Sequence, residues 1–429
     1  MPISRQHLRN AAADELADFQ LKRLNDLLRT VIQRPFYRQR LEGLHLPLRS
    51  LDQLAELPLL TKSDLAGNHH RSGQPASLFD LPASRYVRLH QTSGTSGHPL
   101  PVLDTREDWR WWIECWQYVL DAADVTEDDV AMMAFSFGPF IGFWTAHDAL
   151  VDRGATVVPG GGLSSEARLK MIADLECTLV CCTPTYALHL ASVAKSSGMD
   201  LPSLPVTRLI VAGEPGGSIA AIRSRIQDAW GATVVDHSGA SEVGAWGFGS
   251  RDGQGLHVIE SEFIAECLQF SDQHPGGLPA APDQPAELVL TSLGRVGGPA
   301  IRYRTGDMVR ASRDHSSECR FLWLRGGVAG RTDDMMVIRG VNVFPSSIEA
   351  IVREVDATAE FRMVATRQNE MDQLDLEAEL EPSDASRLEG LLKERLAMRV
   401  SVQVVPLGTL PRFQAKSRRW VDRRESTPS

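Results

Sequence analysis

Apolar and polar positions follow three successive patterns along this chain. In the first, leucines and other apolar residues recur every three or four positions between charged ones, as they do from Leu16 to Leu28. This spacing places the apolar side chains on one face of a helix, so residues 1–75 are predicted to be mainly helical. The segment ends in a polar stretch at residues 68–74.

In the second pattern, short apolar runs alternate with longer amphipathic stretches. The runs predict strands at residues 86–89, 130–135, 155–158, 179–182, 208–212 and 233–235. The stretches between them predict helices at residues 107–120, 142–152, 165–175, 185–196 and 218–230. Strands and helices that alternate at this length predict a largely parallel sheet covered by helices.

In the third pattern, beginning near residue 256, short strand-like pieces are separated by Gly/Pro turns, and a compact α+β unit follows after residue 330. The predicted fold class is therefore α/β, with a large N-terminal domain of mixed, largely parallel sheets and a small α+β C-terminal domain. The predicted boundaries are 1–331 for the large domain and 332–429 for the small one. Within the large domain we distinguish a helical start (1–75), an α/β core (85–255) and a β-rich part (256–331).

The composition is that of an ordinary globular protein, with 43% hydrophobic and 23% charged residues. A net charge of −10 is unfavourable for general nucleic-acid binding, which depends on clustered Lys and Arg. The sequence has neither a long apolar run nor an N-terminal signal-peptide pattern, so we expect a cytoplasmic protein with no membrane partner. The six cysteines form no CxxC pair, and we expect reduced, mainly structural thiols.

A loop of hydroxyls and glycines, Thr92-Ser93-Gly94-Thr95-Ser96-Gly97, follows the first predicted strand. Glycine lets a backbone approach a ligand closely and turn its N–H groups toward an anion, and Ser and Thr add hydroxyl donors. The common P-loop has Gly-Lys-Ser/Thr at this point, whereas here Gly97 precedes His98. On their own, these six residues are consistent with a phosphate-binding loop or with a polar turn.

Further motifs occur downstream in a fixed order. They are AGEP at 212–215, HSGASE at 237–242, RYRTGD at 302–307, and GRTDD at 330–334 followed by IRGVNVFP at 338–345. Together with the loop at 92–97, this series resembles the adenylate-forming superfamily of acyl- and aryl-CoA ligases, peptide-synthetase adenylation domains and luciferases. The chain is most similar to the short phenylacetate–CoA ligase branch, from about residue 15 to residue 425.

The resemblance implies that the protein activates a carboxylic acid as acyl-AMP and transfers the acyl group to CoA, with ATP and Mg²⁺ as cofactors. Thr92, Ser93, Thr95 and Ser96, with the amides of Gly94 and Gly97, would hold the β- and γ-phosphates. Glu242 would bind Mg²⁺, which prefers one or two carboxylates plus phosphate oxygens. Asp307 would accept hydrogen bonds from both ribose hydroxyls, and Arg331 would help to hold ribose or phosphate. A loop carboxylate, a turn aspartate and a surface ion pair are the plain structural alternatives for these three side chains.

Two further segments would flank the adenine, Gly213-Glu214-Pro215 and Asp236-His237-Ser238. Relatives usually have an aromatic residue, most often tyrosine, before the glycine of the Glu242 motif, where this chain has Ser238. Adenine stacking must therefore be weaker or come from another side chain, with His237 as one candidate.

The resemblance assigns the C-terminal domain as a mobile lid. Asp333 matches the hinge, and Gly340 would allow close backbone approach to the pantetheine of CoA. Lys416 matches the catalytic lysine, which would stabilise charge at the α-phosphate beside Glu242 and Thr95. A solvated lysine in a basic tail is the alternative for Lys416.

An acid pocket is implied by the aromatic segment after the second core strand. The predicted pocket residues are Phe135, Phe137, Gly138, Phe140, Ile141, Trp144, Ala212, Gly239 and Ala240. Their apolar character suits an aryl or arylacetic acid, although ordinary core packing is the alternative for any single Phe. Trp144, His147 and Trp246 are expected to distinguish this pocket from that of a phenylacetate enzyme.

Three functions remain open at this point. The first is an acyl-CoA ligase, the second is an adenylating enzyme that loads a carrier protein or an amine, and the third is a catalytically silent nucleotide-binding relative. A homodimer is the expected assembly if the chain is not a monomer. Some relatives bind structural zinc in the β-rich part; because only His257 and Cys319 match that pattern, no structural zinc is predicted.

Overall fold

The computed structural model describes residues 4–66, 77–92, 100–138, 141–313, 319–332, 336–338, 341–343, 345–356, 358–368, 371–396, 398–411 and 419–424. The N-terminal segment is mainly helical, as its leucine spacing predicts. Its elements are α1 (Arg5–Asn10), α2 (Ala13–Val31), α3 (Pro35–Arg40), a 3-10 helix (Leu51–Glu56) and α4 (Lys62–Ala66). In α2 the side chains of Leu16, Leu24 and Val31 are buried on one face. In the described part of the chain, no helix has both the length and the apolar character that a bilayer span requires.

The central part alternates strands with helices. Its elements are β1 (Tyr86–Gln91), β2 (Pro101–Thr105), α5 (Arg106–Ala122), β3 (Val130–Met133), α6 (Trp144–Arg153), β4 (Thr156–Pro159), α7 (Ser165–Asp174), β5 (Leu179–Cys182), α8 (Pro184–Ser196), β6 (Arg208–Val211), α9 (Ala220–Trp230) and β7 (Thr233–Ala240). Strands β4, β3, β5, β6 and β7 lie side by side in that order and pair in parallel. Strand β5 is buried along its whole length, as expected when helices cover both faces of a parallel sheet.

Strands β1 and β2 form an antiparallel hairpin, and α5 begins directly after it. A capping box starts the helix: the Asp108 amide donates to the Thr105 hydroxyl at 3.1 Å, and the Thr105 amide donates to the Asp108 carboxylate at 2.9 Å. The same carboxylate accepts hydrogen bonds from the amides of Val296 (2.7 Å) and Gly297 (2.9 Å). Asp108 therefore ties the hairpin and α5 to a segment nearly 190 residues downstream.

The β-rich part continues the same sheet. Its strands are β8 (Gly244–Gly249), β9 (Gly255–Val258), β10 (Phe263–Ser271), β11 (His274–Pro279), β12 (Pro285–Ser292), β13 (Tyr303–Ser312), β14 (Trp323–Arg325) and β15 (Gly330–Arg331). From β7 the order runs β8, β9, β14, β13, β12, β10, β11, with β15 paired to β13. The turn between β7 and β8 changes the sheet from parallel to antiparallel pairing.

The C-terminal part has its own core. It contains β16 (Met336–Ile338), β17 (Val341–Val343), α10 (Pro345–Val355), β18 (Phe361–Gln368), β19 (Met371–Ala378), α11 (Pro382–Leu396), β20 (Ser401–Val404) and β21 (Trp420–Asp422). The strand order is β20, β19, β18, β21, and the helices α10 and α11 pack together. Ile348, Phe361, Leu376 and Leu388 belong to a buried cluster separate from those of the large sheet. The mixed α/β fold with a smaller α+β part is the predicted fold class; the boundary at 331/332 stays a prediction.

Candidate nucleotide-binding and acid-binding site

The predicted adenine segments lie at adjacent strand ends. Because β5, β6 and β7 are parallel neighbours, the residues after β5, the AGEP motif after β6 and Asp236, where the parallel pairing of β7 with β6 ends, lie at one edge of the sheet. Ligands of open α/β sheets bind at such an edge, outside the carboxyl ends of the strands. The structure therefore brings Glu214 and Asp236 to the same edge, as their motifs predict.

Glu214 caps helix α8, which precedes it in the chain. Its carboxylate accepts hydrogen bonds from the backbone amide (2.7 Å) and the hydroxyl (2.5 Å) of Thr185, in the first turn of α8. A carboxylate at this place pairs an otherwise free helical N–H and interacts favourably with the positive end of the helix dipole. Burial nevertheless raises the pKa of Glu214, although the hydrogen bonds from Thr185 lower it.

Asp236 is held by the segment after β6. Its carboxylate accepts a hydrogen bond from the Ser218 hydroxyl at 2.5 Å and one from the amide of His237 at 3.0 Å. Burial raises the pKa of Asp236 to about 6 despite these donors. The carboxylate is therefore part of the scaffold that shapes the predicted adenine site.

His237 is a buried residue with a relative exposure of 7%. Its Nδ1 lies 2.8 Å from the Gly247 carbonyl, and its ring centroid is 4.2 Å from that of Trp116. Burial lowers the pKa of His237 to about 4, so the ring is neutral at neutral pH. The ring would have to leave this packing to stack on an adenine, so the structure gives that prediction no support. Ser238 is partly buried and pairs with Gly247 across β7 and β8.

Glu242 lies in the turn between β7 and β8. Within the described ranges its carboxylate has no hydrogen bond or ion pair, while its backbone carbonyl accepts a hydrogen bond from Arg295 at 2.8 Å. The carboxylate is partly exposed, and its oxygens are hard ligands of the kind that Mg²⁺ prefers. Glu242 therefore fits the predicted magnesium role in donor chemistry.

The phosphate loop is described only at its base. Thr92 and Leu100 pair through two hydrogen bonds, from the Thr92 amide to the Leu100 carbonyl and from the Leu100 amide to the Thr92 hydroxyl, both 3.0 Å. These bonds extend the β1–β2 hairpin and bring the two ends of the loop together. Outside the described residues lie the predicted sites Ser93, Gly94, Thr95, Ser96, Gly97, Phe140, Asp333, Gly340 and Lys416.

Asp307 and Arg331 face each other across β13 and β15. Their Cα atoms are register partners, and Arg331 Nη1 lies 3.1 Å from Asp307 Oδ1. Gly306, which precedes Asp307, has φ +75°, and a Cβ at this position would lie 2.9 Å from the Arg331 guanidinium. The structure thus brings together the two predicted ribose residues; their contact with a nucleotide stays a prediction.

The predicted acid pocket contains a cluster of aromatic rings. The centroid of Phe137 lies 4.6 Å from those of both Phe135 and Trp144. A Cβ at Gly161 would come within 2.9 Å of the Phe137 ring, and Trp144 donates to the Gly138 carbonyl at 3.2 Å. Ile141, Ala212 and Ala240 are partly buried and Gly239 is exposed. Trp246, by contrast, is 1% exposed and belongs to the core.

A polar network beside these rings was not singled out in the sequence. Asp148 accepts hydrogen bonds from His147 Nδ1 (2.9 Å), Arg88 (2.9 Å) and Trp109 Nε1 (2.8 Å). The His147 ring also meets the Phe137 ring edge-on at 5.9 Å. Because the three partners come from β1, α5 and α6, no local sequence pattern indicates the network. It fixes the orientation of His147 at the border of the aromatic cluster.

Among the described residues, no group of three or more His, Cys, Asp or Glu side chains is placed to hold a metal ion. His257 Nδ1 lies 3.2 Å from the Phe321 carbonyl. The expectation of no structural zinc stays a prediction.

Comparison with known proteins identifies the family. Residues 340–424 match the family model described as the AMP-binding enzyme C-terminal domain. The chain is 30% identical over 437 residues to phenylacetate-coenzyme A ligase of Escherichia coli (strain K12), covering 97% of both proteins. The chain belongs to the phenylacetate–CoA ligase family. The enzyme of the same name from Thermus thermophilus is 29% identical, and the match covers 96% of this chain and 97% of the Thermus protein.

Among solved structures, this member of the phenylacetate–CoA ligase family is similar to 2-hydroxyisobutyryl-CoA ligase. In the postadenylation state that enzyme matches with a TM-score of 0.88 at 26% identity, over 98% of this chain and 93% of the other. In its thioesterification state the TM-score is 0.73, at 26% identity over 99% and 94% of the two chains. These similarities confirm the resemblance to adenylate-forming acyl-CoA ligases that the sequence motifs indicate.

Proposed function

We propose that this protein is an AMP-forming acid–thiol ligase. In the first step a carboxylate oxygen attacks the α-phosphorus of ATP, the α–β phosphoanhydride bond breaks and pyrophosphate leaves. In the second step the CoA thiol loses its proton, the sulfur attacks the acyl carbon and AMP leaves. The observation that carries the proposal is the match to a phenylacetate-coenzyme A ligase over 97% of both chains. The gathering of the predicted nucleotide segments at one sheet edge supports it.

The residues of the chain would act mainly by position and charge. Asp307, paired with Arg331, would accept hydrogen bonds from the ribose, and the loop at 92–97 would donate to the phosphates. Glu242 would hold Mg²⁺, which when bound neutralises phosphate charge as pyrophosphate forms. Lys416 would stabilise the negative charge that develops at the α-phosphate.

For the acid, we propose an aryl or arylacetic substrate. The support is the cluster of Phe135, Phe137 and Trp144, whose rings pack at 4.6 Å and offer an apolar wall. The predicted pocket residues carry no carboxylate that could receive the amine of an amino acid.

The small domain would move between two poses, with Asp333 as the hinge. The higher TM-score against a postadenylation structure than against a thioesterification structure, 0.88 against 0.73, supports a first pose of that type. Both poses would serve one site, because the activated acid must stay bound while the thiol arrives. We propose a cytoplasmic location. Analytical ultracentrifugation would show whether the protein is a monomer or a homodimer.

The test is a panel of acids with ATP and Mg²⁺, with and without CoA. Acid-dependent ATP–pyrophosphate exchange without CoA, and an acyl-CoA product with CoA, are the expected results. Exchange without any CoA thioester would instead indicate a carrier-protein or amine acceptor. No exchange with any acid would indicate a silent nucleotide-binding relative.

A further inference from the structure

A buried arginine outside every sequence motif contacts the turn that carries Glu242. Arg295 lies in the segment between β12 and β13, and its side chain is 0% exposed. Its Nη1 donates to the backbone carbonyls of Ser241 and Glu242, each at 2.8 Å. One guanidinium nitrogen thus fixes two successive peptide groups of this turn.

The other end of the same guanidinium faces the phosphate-loop hairpin. Arg295 Nη2 lies 2.7 Å from Asp104 Oδ1, and the Asp104 side chain is 1% exposed. Asp104 belongs to β2, which begins directly after the loop, and it also accepts a hydrogen bond from Trp112 Nε1 at 3.1 Å. Burial raises the pKa of Asp104, and the positive charge of Arg295 acts in the opposite direction.

The pair is well placed to act as a rigid connection. The two hydrogen bonds to the turn carbonyls have a charged donor, which makes them stronger than neutral ones, and the buried ion pair with Asp104 is strengthened by its low-polarity surroundings. The adjacent residues Val296 and Gly297 are anchored separately by Asp108 at the start of α5. The Glu242 turn and the hairpin are therefore joined through one side chain whose own backbone is fixed.

We propose that Arg295 and Asp104 are positioning residues that hold the turn of Glu242 in place relative to the β1–β2 hairpin and thereby set the affinity for magnesium–ATP. This inference rests on the proposed function in assigning Mg²⁺ to Glu242. Because both side chains are buried, they would act through the backbone that they hold and not by touching metal or nucleotide. Groups that orient a metal ligand in this way typically affect metal affinity about 10- to 100-fold.

The decisive variant is Asp104→Asn/Arg295→Met, because removing one partner alone would leave an unpaired buried charge that costs about 3–5 kcal/mol. Its matched control is Asp129→Asn/Arg208→Met. Arg208 also pairs with a buried carboxylate, that of Asp129, and donates to two backbone carbonyls, those of Ala123 (3.2 Å) and Asp124 (2.7 Å). That pair lies where β6 begins, at the sheet edge opposite the site.

Calorimetric titration with ATP, once with Mg²⁺ and once with EDTA, gives the readout without any need for turnover. For the decisive variant we expect the dissociation constant of magnesium–ATP to rise about tenfold or more while that of ATP in EDTA changes less than twofold. The control should change neither value more than twofold, even if its thermal midpoint falls. Arg295→Lys, which keeps the charge but loses the forked geometry, should lie between wild type and the double variant.

Equal magnesium–ATP affinity in a folded double variant would overturn the proposal. If that variant does not fold, Arg295→Lys decides by the same measurement, with a threefold or larger weakening expected and an unchanged value contrary. A different result is expected if the proposed function, and not this inference, is wrong. In that case the wild type binds magnesium–ATP but performs no exchange with any acid, and the effect of Arg295 on binding is still measured.

Discussion

The Ser218 hydroxyl donates a 2.5 Å hydrogen bond to the Asp236 carboxylate. Through this bond the segment between β6 and α9 is held against the middle of β7. This segment and the predicted adenine residue Asp236 therefore form a hydrogen-bonded unit, and a change in one should move the other.

Gly217 tests how tightly this unit is packed. A Cβ at this position would lie 2.5 Å from Asp236 Cγ, so Gly217→Ala must push the segment away from β7. We expect a loss of about 1–3 kcal/mol in unfolding free energy and a raised KM for ATP. Gly276→Ala is the matched control, because a Cβ there meets nothing within 4 Å, and it should stay within about 0.5 kcal/mol of wild type. Equal urea-unfolding midpoints for the two variants would contradict the packing described.

Asp236 should give the protein a recognisable pH dependence. Its pKa of about 6 in the folded state exceeds the unfolded value of about 4, so the folded protein binds this proton more tightly. Its contribution to stability is therefore highest below about pH 4 and falls as the pH rises toward about 6. The thermal midpoint of wild type minus that of Asp236→Asn should decrease between about pH 4 and pH 7. A difference independent of pH would show that the carboxyl group titrates normally.

His237 should show the opposite slope. Its pKa of about 4 in the folded state lies below the unfolded value of about 6.5, so its stabilising contribution is complete above about pH 6.5. This contribution is lost as the pH falls from there toward about 4. The thermal midpoint of wild type minus that of His237→Gln should be larger at about pH 7 than at about pH 5. A larger difference at the lower pH would mean that the buried ring carries a charge.

Glu242→Gln should separate function from folding. Since its carboxylate has no partner among the described residues, the thermal midpoint should stay within about 2 °C of wild type, as for a surface substitution. If Glu242 holds Mg²⁺, acid-dependent pyrophosphate exchange should fall about 100-fold or more, and excess Mg²⁺ should restore part of it. Glu287→Gln offers a contrast, because that buried carboxylate pairs with Arg304 and its loss should lower the midpoint. Undiminished exchange by Glu242→Gln would remove the residue from the metal site.

The architecture could be predicted from the sequence wherever the local pattern of apolar residues determines the secondary structure. The parallel core follows from strands such as β5, whose continuous apolar run is buried on both sides. The placement of Glu214 and Asp236 follows as well, because neighbouring parallel strands must end at the same edge. The pairing of Asp307 with Arg331 agrees with their occurrence in adjacent motifs of the family series.

Long-range contacts could not be predicted in this way. The burial of His237 depends on Trp116, more than 100 residues earlier, and nothing beside His237 in the sequence indicates that neighbour. Asp104 and Arg295 are separated by nearly 200 residues in the sequence. Neither residue has sequence neighbours that indicate its burial or its partner, which only the folded structure shows. Gly/Pro turns mark off the β-rich part in the sequence, whereas backbone hydrogen bonds join its strands to the core sheet.

The proposed function requires this chain to make an acyl-AMP before it makes a thioester, and ATP–pyrophosphate exchange reports the first step without the second. Purified protein with ATP, Mg²⁺, labelled pyrophosphate and an aryl or arylacetic acid is predicted to form labelled ATP without CoA. The Lys416→Ala variant should lose this exchange far more than it loses ATP binding. Release of ADP and phosphate, or no acid-dependent exchange across the acid panel, would rule out an enzyme that forms an acyl-AMP.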